Sequence, residues 1–410
     1  MQMRDNPFGA DALLTTFQQA LKTVLEFVQP ISRTESIHLE NAGGRVLASD
    51  VIASHSTPPF RRASMDGYAV IAADTIGASS ESAVTLRVLE TVYAGSVGLK
   101  EVTSGYCTKV ATGAPMPEGA DSMVIVEHAV VHNASEVDVL RTVIPGENVA
   151  PEGEDIRRGE VLLSRDSYLS AGKVGAFASQ GLERLMVYAR PKVAILSTGE
   201  EIASPGADLK PGQIYDINSY TLATVAQSNG GEVIRLAFSG DDVSSLSAKL
   251  SEALQADIIV TSGGSSVGDR DLLLDALLMR GEVLFHGIKV KPGKPTLFAM
   301  LEGKPVLGMP GYPASCLLNA YLLLLPAIRR LARLPPLRPA CLHAKMGECV
   351  HNYSDRLRFL PVAMQNGKVY SVFKESGAIT SLSRAEGYIA IPENVRVPEG
   401  DEVEVVLFEH

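Results

Sequence analysis

Two glycine-containing segments carry the residue types best suited to chemistry in this chain. SGGSSVGDRD occupies residues 262–271, and KVKPGKP occupies residues 289–295. The apolar run DIIVT before the first segment predicts a buried strand, and LLLDALLM after it predicts a helix. A strand that enters a helix through a glycine-rich loop points backbone N–H groups at an anion, and the lysines of the second segment add positive charge. Together the two segments predict a site for a phosphorylated small molecule.

A third loop, GMPGYP at residues 308–313, follows the predicted strand KPVLG. One SGG turn alone is more often a tight connection between elements than a ligand site. Three such loops after three strands favour a site, because the ligands of open parallel sheets collect at the carboxyl ends of the strands.

Acidic side chains are predicted at the same edge of the sheet. STGEEI at residues 197–202 follows another predicted strand, and further carboxylates begin loops or helices. These carboxylates are Glu200, Glu201, Asp241, Asp242, Asp269 and Asp271. Carboxylates beside a phosphate repel it unless a divalent cation lies between them, and Mg²⁺ is usually held by such oxygen ligands. The pattern predicts Mg²⁺-dependent chemistry at a phosphate ester.

Alternating predicted strands and helices over residues 187–333 must position these loops. The predicted strands are Lys192–Leu196, Glu232–Ala237, Asp257–Thr261, Val283–Ile288 and Val306–Gly308. The predicted helices are Asn218–Asn229, Val243–Gln255, Leu272–Met279 and Ala314–Arg333. This progression is typical of a doubly wound α/β domain.

The rest of the chain shows other patterns. An apolar stripe predicts a helix over Ala12–Val28, with Asp11 as its N-cap. Short β-branched runs from about residue 60 to 140 predict a compact β-rich module, and residues 145–163 form a glycine-rich, charged return segment. After a proline-rich linker at residues 331–340, short strands and turns predict a small C-terminal β-barrel.

Composition narrows the class of protein. The chain has 410 residues and a net charge of −10, which argues against a nucleic-acid binder. Its four cysteines form no CxxC pair, so we expect buried thiols of a cytosolic protein. No signal-peptide pattern is legible, and the apolar run Ala320–Ile328 is too short to span a bilayer. We expect a cytoplasmic protein.

Three further motifs are ambiguous when taken singly. Asp66-Gly67 in MDGYAV is compatible with a simple turn. Residues 112–127, TGAPMPEGADSMVIVE, indicate an ordered loop in which Thr112 is available to a ligand. The charged run GEDIRRGE at residues 153–160 is more typical of a solvated surface than of a site.

Taken together, the motifs resemble the MoeA family, the molybdopterin molybdenumtransferases, to which the E domain of gephyrin also belongs. PPFRRASMDGYAV, TGAPMPEGAD, GEDIRRGE, STGEEI, GQIYDINSY, SGGSSVGDRD, KPGKP and GMPGYP occur in the order found in that family. The SGGxSxG form also separates the chain from the related MogA-type adenylyltransferases, whose loop carries SGGTG. The family reaction takes adenylylated molybdopterin and molybdate, releases AMP and leaves molybdenum on the dithiolene.

The resemblance implies a multidomain α/β fold and a homodimer. An elongated, discontinuous helical and β dimerisation domain is expected at residues 1–50 and 141–186, with the β-rich domain inserted at 51–140. A MogA-like α/β domain is expected at residues 187–333, and a C-terminal β-barrel at 334–410. The site would lie in a cleft between subunits, and a MogA-like adenylyltransferase is a possible partner.

The resemblance also assigns residues to roles. The phosphate cradle would comprise Ser262, Gly263, Gly264, Ser266 and Gly268, with Pro310 and Gly311 of the third loop also binding the cofactor. Mg²⁺ or the attacking water would be held by Glu201 and Asp271, with Asp241 or Asp242 nearby. Lys291 and Lys294 would bind pterin phosphate or molybdate, and Arg356 and Ser376 of the barrel would complete the molybdate side. Asp66, Thr112 and Asp155 would act on the cofactor from the partner subunit.

Several positions depart from the family pattern. Arg61-Arg62 stand where an Asp-Asn pair is common, Tyr312 replaces an asparagine, and Glu200 replaces an aspartate. Gly287 falls where some members carry a lysine, and Lys289 on the same strand face would substitute. Two alternatives stay open: a scaffold or carrier of the gephyrin type, and a homologue that inserts tungstate.

Overall fold

The computed structural model describes residues 14–199, 201–238, 242–263 and 272–408. The chain separates into two compact units. Unit 1 comprises residues 1–35, 44–46 and 187–410, and unit 2 comprises residues 36–43 and 47–186. Glu200, Asp241, Gly264, Ser266, Gly268, Asp269 and Asp271 lie outside the described residues.

The described residues form helices α1 Phe17–Phe27, α2 Ala171–Ser179, α3 Asn218–Ser228, α4 Val243–Ala253, α5 Leu272–Arg280, α6 Pro313–Asn319, α7 Leu325–Leu331 and α8 Thr380–Ser383. Short 3₁₀ turns occupy Leu39–Asn41, Ala72–Thr75 and Val126–His128, and one π-helical turn occupies Ala320–Leu324. The strands up to residue 188 are β1 Thr34–His38, β2 Val51–Ile52, β3 Arg62–Ala63, β4 Gly67–Val70, β5 Val84–Val92, β6 Tyr106–Val110, β7 Ser122–Ile125, β8 Ala129–Asn133, β9 Glu136–Val139, β10 Val149–Ala150, β11 Val161–Leu163 and β12 Arg184–Tyr188.

The strands of the α/β region are β13 Lys192–Thr198, β14 Ile202–Ala203, β15 Ile214–Tyr215, β16 Glu232–Phe238, β17 Ile258–Ser262, β18 Gly281–His286, β19 Val290–Lys291, β20 Leu297–Leu301 and β21 Lys304–Met309. The C-terminal strands are β22 Cys341–Met346, β23 Val350–His351, β24 Leu357–Gln365, β25 Lys368–Ser371, β26 Gly387–Ile391, β27 Arg396–Val397 and β28 Glu402–Leu407.

Unit 2 contains a six-stranded sheet in the order β7-β4-β6-β5-β9-β8. Its strands bury apolar residues on both faces, because Tyr68 and Val70 belong to one core cluster while Ala69 belongs to another. The β-rich module that the sequence predicts is therefore confirmed. The strand β8 was not predicted.

The α/β region of unit 1 is a six-stranded sheet in the order β16-β13-β17-β21-β20-β18. The first four strands are parallel. β20 is antiparallel to both of its neighbours, β21 and β18, so β18 runs in the same direction as the first four strands. In β13, Val193 and Ile195 pack with α3 and α6, while Ala194 and Leu196 pack with α4 and α5. A parallel strand buried on both faces explains the continuous apolar run in its sequence. The predicted doubly wound domain is confirmed, although β20 was not predicted.

The C-terminal strands close into a five-stranded barrel. The order β24-β25-β22-β28-β26 is completed by the pairing of β26 with β24, and the interior is a cluster that includes Leu360, Val362, Ile389 and Val405. Closure leaves no unpaired edge among these strands. The predicted barrel is confirmed.

The helix predicted from Ala12 begins later, at Phe17. Thr16 is its N-cap and forms a capping box with Gln19. Thr15 is held outside the helix, because its N–H donates to Gly287 O at 3.2 Å and its carbonyl accepts from Lys289 N at 2.8 Å. The predicted cap, Asp11, lies outside the described residues.

The expectation that all four cysteines are buried needs correction. Cys107 and Cys316 are buried thiols, and burial raises the pKa of each to about 12, but Cys341 and Cys349 are exposed.

The helical segment Pro313–Leu331 is long and apolar enough to cross a membrane, judged by length and composition only. However, 72% of its apolar window is buried inside the protein, as in the core helix of a soluble domain.

Candidate functional site

Parallel register brings three strand ends together in unit 1. Ser197 at the end of β13 pairs with Ser262 of β17, and Ser262 pairs with Met309 of β21. The loops that follow these strands therefore leave the same edge of the sheet side by side. The N–H of Gly263 donates to Met309 O at 3.4 Å, which joins the second loop to the third.

Gly263 occupies a position that only glycine fills without strain. Its φ is +87°, and a Cβ at this position would lie 2.6 Å from the carbonyl oxygen of Thr198. Thr198 Oγ1 also donates to Ser262 O at 3.2 Å. Gly311 is close by, since a Cβ built there would lie 3.7 Å from the Gly263 Cα. Because Gly263 and Gly311 carry no side chain, the backbones at Thr198, Gly263 and Gly311 can approach one another closely.

Asn218 at the start of α3 links the second and third loops. Its Nδ2 donates to Ser262 Oγ at 2.7 Å and to Gly311 O at 2.8 Å. The side chain is buried, and its Oδ1 has no hydrogen-bond partner among the described residues. Asn218 was not among the predicted site residues, although it lies in the motif GQIYDINSY. The available signal was a polar residue at a predicted helix start directly before an apolar helix face.

The lysine loop, residues 289–295, joins the α/β sheet to the barrel. Lys291 pairs with Arg358 in the parallel pair β19–β24, and Leu357 N donates to Lys289 O at 3.2 Å. Lys291 is exposed, and Lys294 is half-buried. The barrel strand that follows Arg356 in sequence thus lies directly beside the lysine loop.

Two predicted barrel residues lie near the loops in different ways. The carbonyl of Ser376 accepts from Ala314 N at 3.0 Å, which docks its segment on the start of α6. Arg356 Nε donates to Ser354 Oγ at 3.3 Å. Arg358, which sequence reasoning missed, donates to His351 O at 2.7 Å, and burial lowers the pKa of its guanidinium.

The described carboxylates do not by themselves form a cation site. Asp242 caps α4 by accepting from Ser245 N at 2.9 Å and Ser245 Oγ at 2.5 Å, and these hydrogen bonds lower the pKa of its carboxyl. The carboxylate of Glu201 folds back over Gly199, where a Cβ would lie 2.5 Å from Glu201 Oε2. Within the described ranges, no group of three His, Cys, Asp or Glu residues could hold a metal ion.

In unit 2, the structure joins Asp66 to Thr112. The Asp66 carboxylate accepts from Thr112 N at 2.6 Å and from Thr112 Oγ1 at 2.7 Å. These hydrogen bonds lower the pKa of Asp66 and keep this exposed side chain ionised. Gly67 begins β4, and a Cβ there would lie 2.1 Å from Val124 O, so the Asp66-Gly67 pair leads into a central strand and is not a simple turn.

The charged run at residues 153–160 is tied to the segment before Asp66. Gly153 N donates to Pro58 O at 3.0 Å, and Asp155 N donates to Thr57 O at 3.0 Å. The Asp155 side chain remains exposed. Arg61, one of the departures from the family pattern, donates to the carbonyls of Ala120 and Asp121 at 3.4 Å. Backbone and side-chain hydrogen bonds within unit 2 thus bring three of the motifs together.

The expected replacement of Gly287 by Lys289 on one strand face is wrong. β18 ends at His286, Gly287 has a φ of +96°, and β19 begins only at Val290. The alternation of a strand therefore does not connect the two positions. The amine of Lys289 instead lies 3.3 Å from Glu393 Oε1. Tyr312, a further departure from the family pattern, is exposed and precedes α6, and a Cβ at Gly377 would lie 3.8 Å from its ring.

Comparisons with known proteins cover nearly the whole chain. Family models match the MoeA N-terminal region (domain I and II) at residues 15–181, a probable molybdopterin binding domain at 194–330 and the MoeA C-terminal region (domain IV) at 343–408. The molybdopterin molybdenumtransferase of Haemophilus influenzae is 30% identical over 94% of this chain and 98% of its own length. Molybdopterin molybdenumtransferase 2 of Mycobacterium tuberculosis is 34% identical over 96% and 99%.

Solved structures agree with these relatives. The crystal structure of the molybdopterin biosynthesis MoeA protein from Pyrococcus horikoshii is similar with a TM-score of 0.80 and 32% identity, and the match covers 97% of this chain and 100% of that one. With motifs, domains and fold in agreement, the chain belongs to the MoeA family.

Proposed function

We propose that this protein is a molybdopterin molybdenumtransferase, which inserts molybdate into adenylylated molybdopterin and releases AMP. The observation that carries the proposal is the convergence of the SGG and PGYP loops through Asn218, in a chain whose relatives bear this name. The lysine loop, paired with the barrel, adds cations suited to an oxyanion.

The proposed reaction balances without an oxidant or reductant. Water attacks the phosphorus, the phosphoanhydride P–O bond breaks, and AMP leaves. Molybdate exchanges one oxo group for the two dithiolene sulfurs, and that oxygen leaves as water with the two thiol protons. Molybdenum keeps its oxidation state. The protein contributes by orienting both substrates and by stabilising charge on the leaving phosphate.

We assign the residues as follows. Ser262 and Gly263, with Gly264, Ser266 and Gly268, hold the substrate phosphate, and Pro310 and Gly311 line the same cradle. The oxyanion is bound by Lys291, Lys294, Arg356 and Ser376. Support for this grouping comes from the shared sheet edge of the loops and from the β19–β24 pairing.

Mg²⁺ dependence is a further part of the proposal. When bound, the cation would neutralise charge on the phosphate. Glu201 and Asp271 are its proposed ligands, with Asp241 as the nearby third carboxylate. Asp242 fits this role poorly among the described residues, because its carboxylate already caps α4.

We also propose a cytoplasmic homodimer divided into the four domains expected from the resemblance. Asp66, Thr112 and Asp155 of one subunit would act on the cofactor held by the α/β domain of the other. A MogA-like adenylyltransferase would supply the adenylylated substrate. The hydrogen bonds from Thr112 lower the pKa of Asp66 and so favour its carboxylate form. This supports a role that needs a carboxylate and not a carboxylic acid.

The test is a reconstitution with purified protein, adenylylated molybdopterin, Mg²⁺ and either molybdate or tungstate. AMP and active cofactor are quantified with time. We expect AMP release that depends on molybdate, and its loss in Asp271→Ala and in Lys291→Ala. Lys249→Ala is the matched control, because this lysine lies on α4 and pairs with Glu252 at 2.8 Å.

Other outcomes identify the alternatives. Binding of the adenylylated pterin without AMP release under either oxyanion would favour a scaffold or carrier. Faster turnover with tungstate would favour the tungstate-inserting homologue. Equal rates with and without EDTA would contradict the Mg²⁺ dependence alone.

A further inference from the structure

Asn319, the last residue of α6, lies beneath the lysine loop. The side chain is fully buried, and its Nδ2 donates to Gly293 O at 2.9 Å and to Thr296 Oγ1 at 2.7 Å. The Thr296 hydroxyl donates in turn to Gly293 O at 2.9 Å. The amide hydrogens are therefore used on the lysine loop and on Thr296, the residue directly after it, and Gly293 O accepts from two side chains.

The loop backbone lies directly against this amide. Gly293 has a φ of +101°, and a Cβ at this position would lie 2.3 Å from Asn319 Nδ2. Other bonds close the base of the loop, since Gly287 N donates to Thr296 O at 2.8 Å and Ile288 N donates to Lys294 O at 2.9 Å. Asn319 instead holds the apex of the loop, between the two lysines.

The Asn319 side chain contacts the loop region through the N–H donors of its amide, not through the amide oxygen. Within the part of the chain that the structure describes, its Oδ1 has no hydrogen-bond partner, although it is buried, and an unpaired buried oxygen is unfavourable. A leucine of similar size would avoid this penalty but would leave Gly293 O with one donor fewer. The contribution that is specific to asparagine is thus the pair of hydrogen bonds to the loop.

We propose that Asn319 is a positioning residue, which holds Lys291 and Lys294 in the geometry that binds the oxyanion substrate. It does not touch the substrate itself. The proposal rests on the proposed function, because it assumes that these two lysines bind molybdate. It predicts an effect on oxyanion affinity that exceeds the effect on the chemical step.

Asn319→Leu and Asn319→Asp, two variants of similar size, test the positioning role. In Asn319→Leu we expect the KM for molybdate to rise about tenfold, from the loss of two neutral hydrogen bonds, with kcat changed less than about threefold. The dissociation constant of sodium molybdate, measured by calorimetry without pterin, should rise in parallel. Asn229→Leu is the control, because Asn229 is also buried but donates to Val225 O on α3.

Asn319→Asp adds a readout that a purely structural residue would not move. Burial raises the pKa of a carboxyl group, and only the protonated form can donate to Gly293 O. We therefore expect molybdate affinity in Asn319→Asp, relative to wild type, to recover as the pH falls. Asn319→Leu should show no such recovery.

Gly293→Ala tests the same contact from the loop side and remains informative if the Asn319 variants fold poorly. Gly303→Ala is its control: Gly303 also has a positive φ, +78°, but the structure places no described atom within 4 Å of its Cβ position. We expect a raised molybdate KM in Gly293→Ala and an unchanged KM in Gly303→Ala.

The outcomes separate the two levels of the proposal. If wild type neither binds molybdate nor releases AMP, the proposed function fails. If wild type is active while Asn319→Leu and Gly293→Ala keep its molybdate KM, or lose kcat alone, the positioning role is overturned. A parallel rise of KM in Asn229→Leu would likewise contradict a role specific to the loop.

Discussion

Gly263→Ala is the most direct test of how the phosphate cradle is built. The substitution places a methyl group in the turn that follows β17, where the backbone has a φ of +87°. Its Cβ would lie 2.6 Å from the carbonyl oxygen of Thr198 at the end of β13. That oxygen belongs to the backbone, so relief requires the two strand ends to move apart.

Two terms set the expected loss of stability. An L-residue at a left-handed backbone position costs about 1–2 kcal/mol. Forcing an extra methyl into a closely packed site costs typically about 1–3 kcal/mol more. We therefore expect the free energy of unfolding of Gly263→Ala to fall by about 2–5 kcal/mol.

Gly212→Ala separates these terms. Gly212 has nearly the same φ, +85°, but no atom of the described residues lies within 4 Å of its Cβ position. This control should lose only the backbone term, about 1–2 kcal/mol. Urea unfolding followed by circular dichroism measures both variants, and AMP release should fall in Gly263→Ala alone. Equal destabilisation of the two variants, with AMP release intact, would refute the close approach of the loops.

Three further predictions concern hydrogen bonds and ionisation. Asn218→Ala should lower the free energy of unfolding by about 1–3 kcal/mol and raise the KM for the adenylylated pterin, because it removes two buried hydrogen bonds; unchanged values in urea unfolding and kinetics would contradict the bridge. Thr112→Val should raise the pKa of Asp66 and so move the acid limb of the pH–kcat/KM profile to higher pH, since one of the donors that lower this pKa is lost; an unmoved limb would show that the activity does not need ionised Asp66. Arg33→Ala should cost about 1–2 kcal/mol at neutral pH by breaking the two-point ion pair with Asp257. Burial alone would raise the pKa of Asp257, but the hydrogen bonds from Arg33 and from Lys192 N outweigh burial and lower this pKa. The stabilisation by the ion pair is therefore present above the ordinary carboxyl pKa and is lost as the pH falls below it. Thermal unfolding at pH 7 and pH 3 should show the stabilities of the variant and of wild type converging in acid.

Local patterns were sufficient for much of the fold. The apolar run before Ser262 predicts a strand because both faces of a central parallel strand are buried, and this pattern lies within a few consecutive residues. Glycines after strands indicate the loops because glycine adopts a positive φ without a steric penalty, and this signal also lies in a single residue. The start of α1 was misplaced, because Thr15 is held by Gly287 and Lys289, which lie far along the chain.

The sequence by itself determined which segments would carry the chemistry, namely the glycine and lysine loops, the charged run and the MDGYAV segment. Only the tertiary structure decided which of them meet. Asn218 reaches residues 44 and 93 positions away, and Asn319 reaches back 26 positions to Gly293. Such contacts depend on the register of parallel strands and on the docking of the barrel, which no local periodicity encodes. Buried amides at these positions resemble any polar residue on a helix until the fold brings a loop carbonyl within hydrogen-bonding distance.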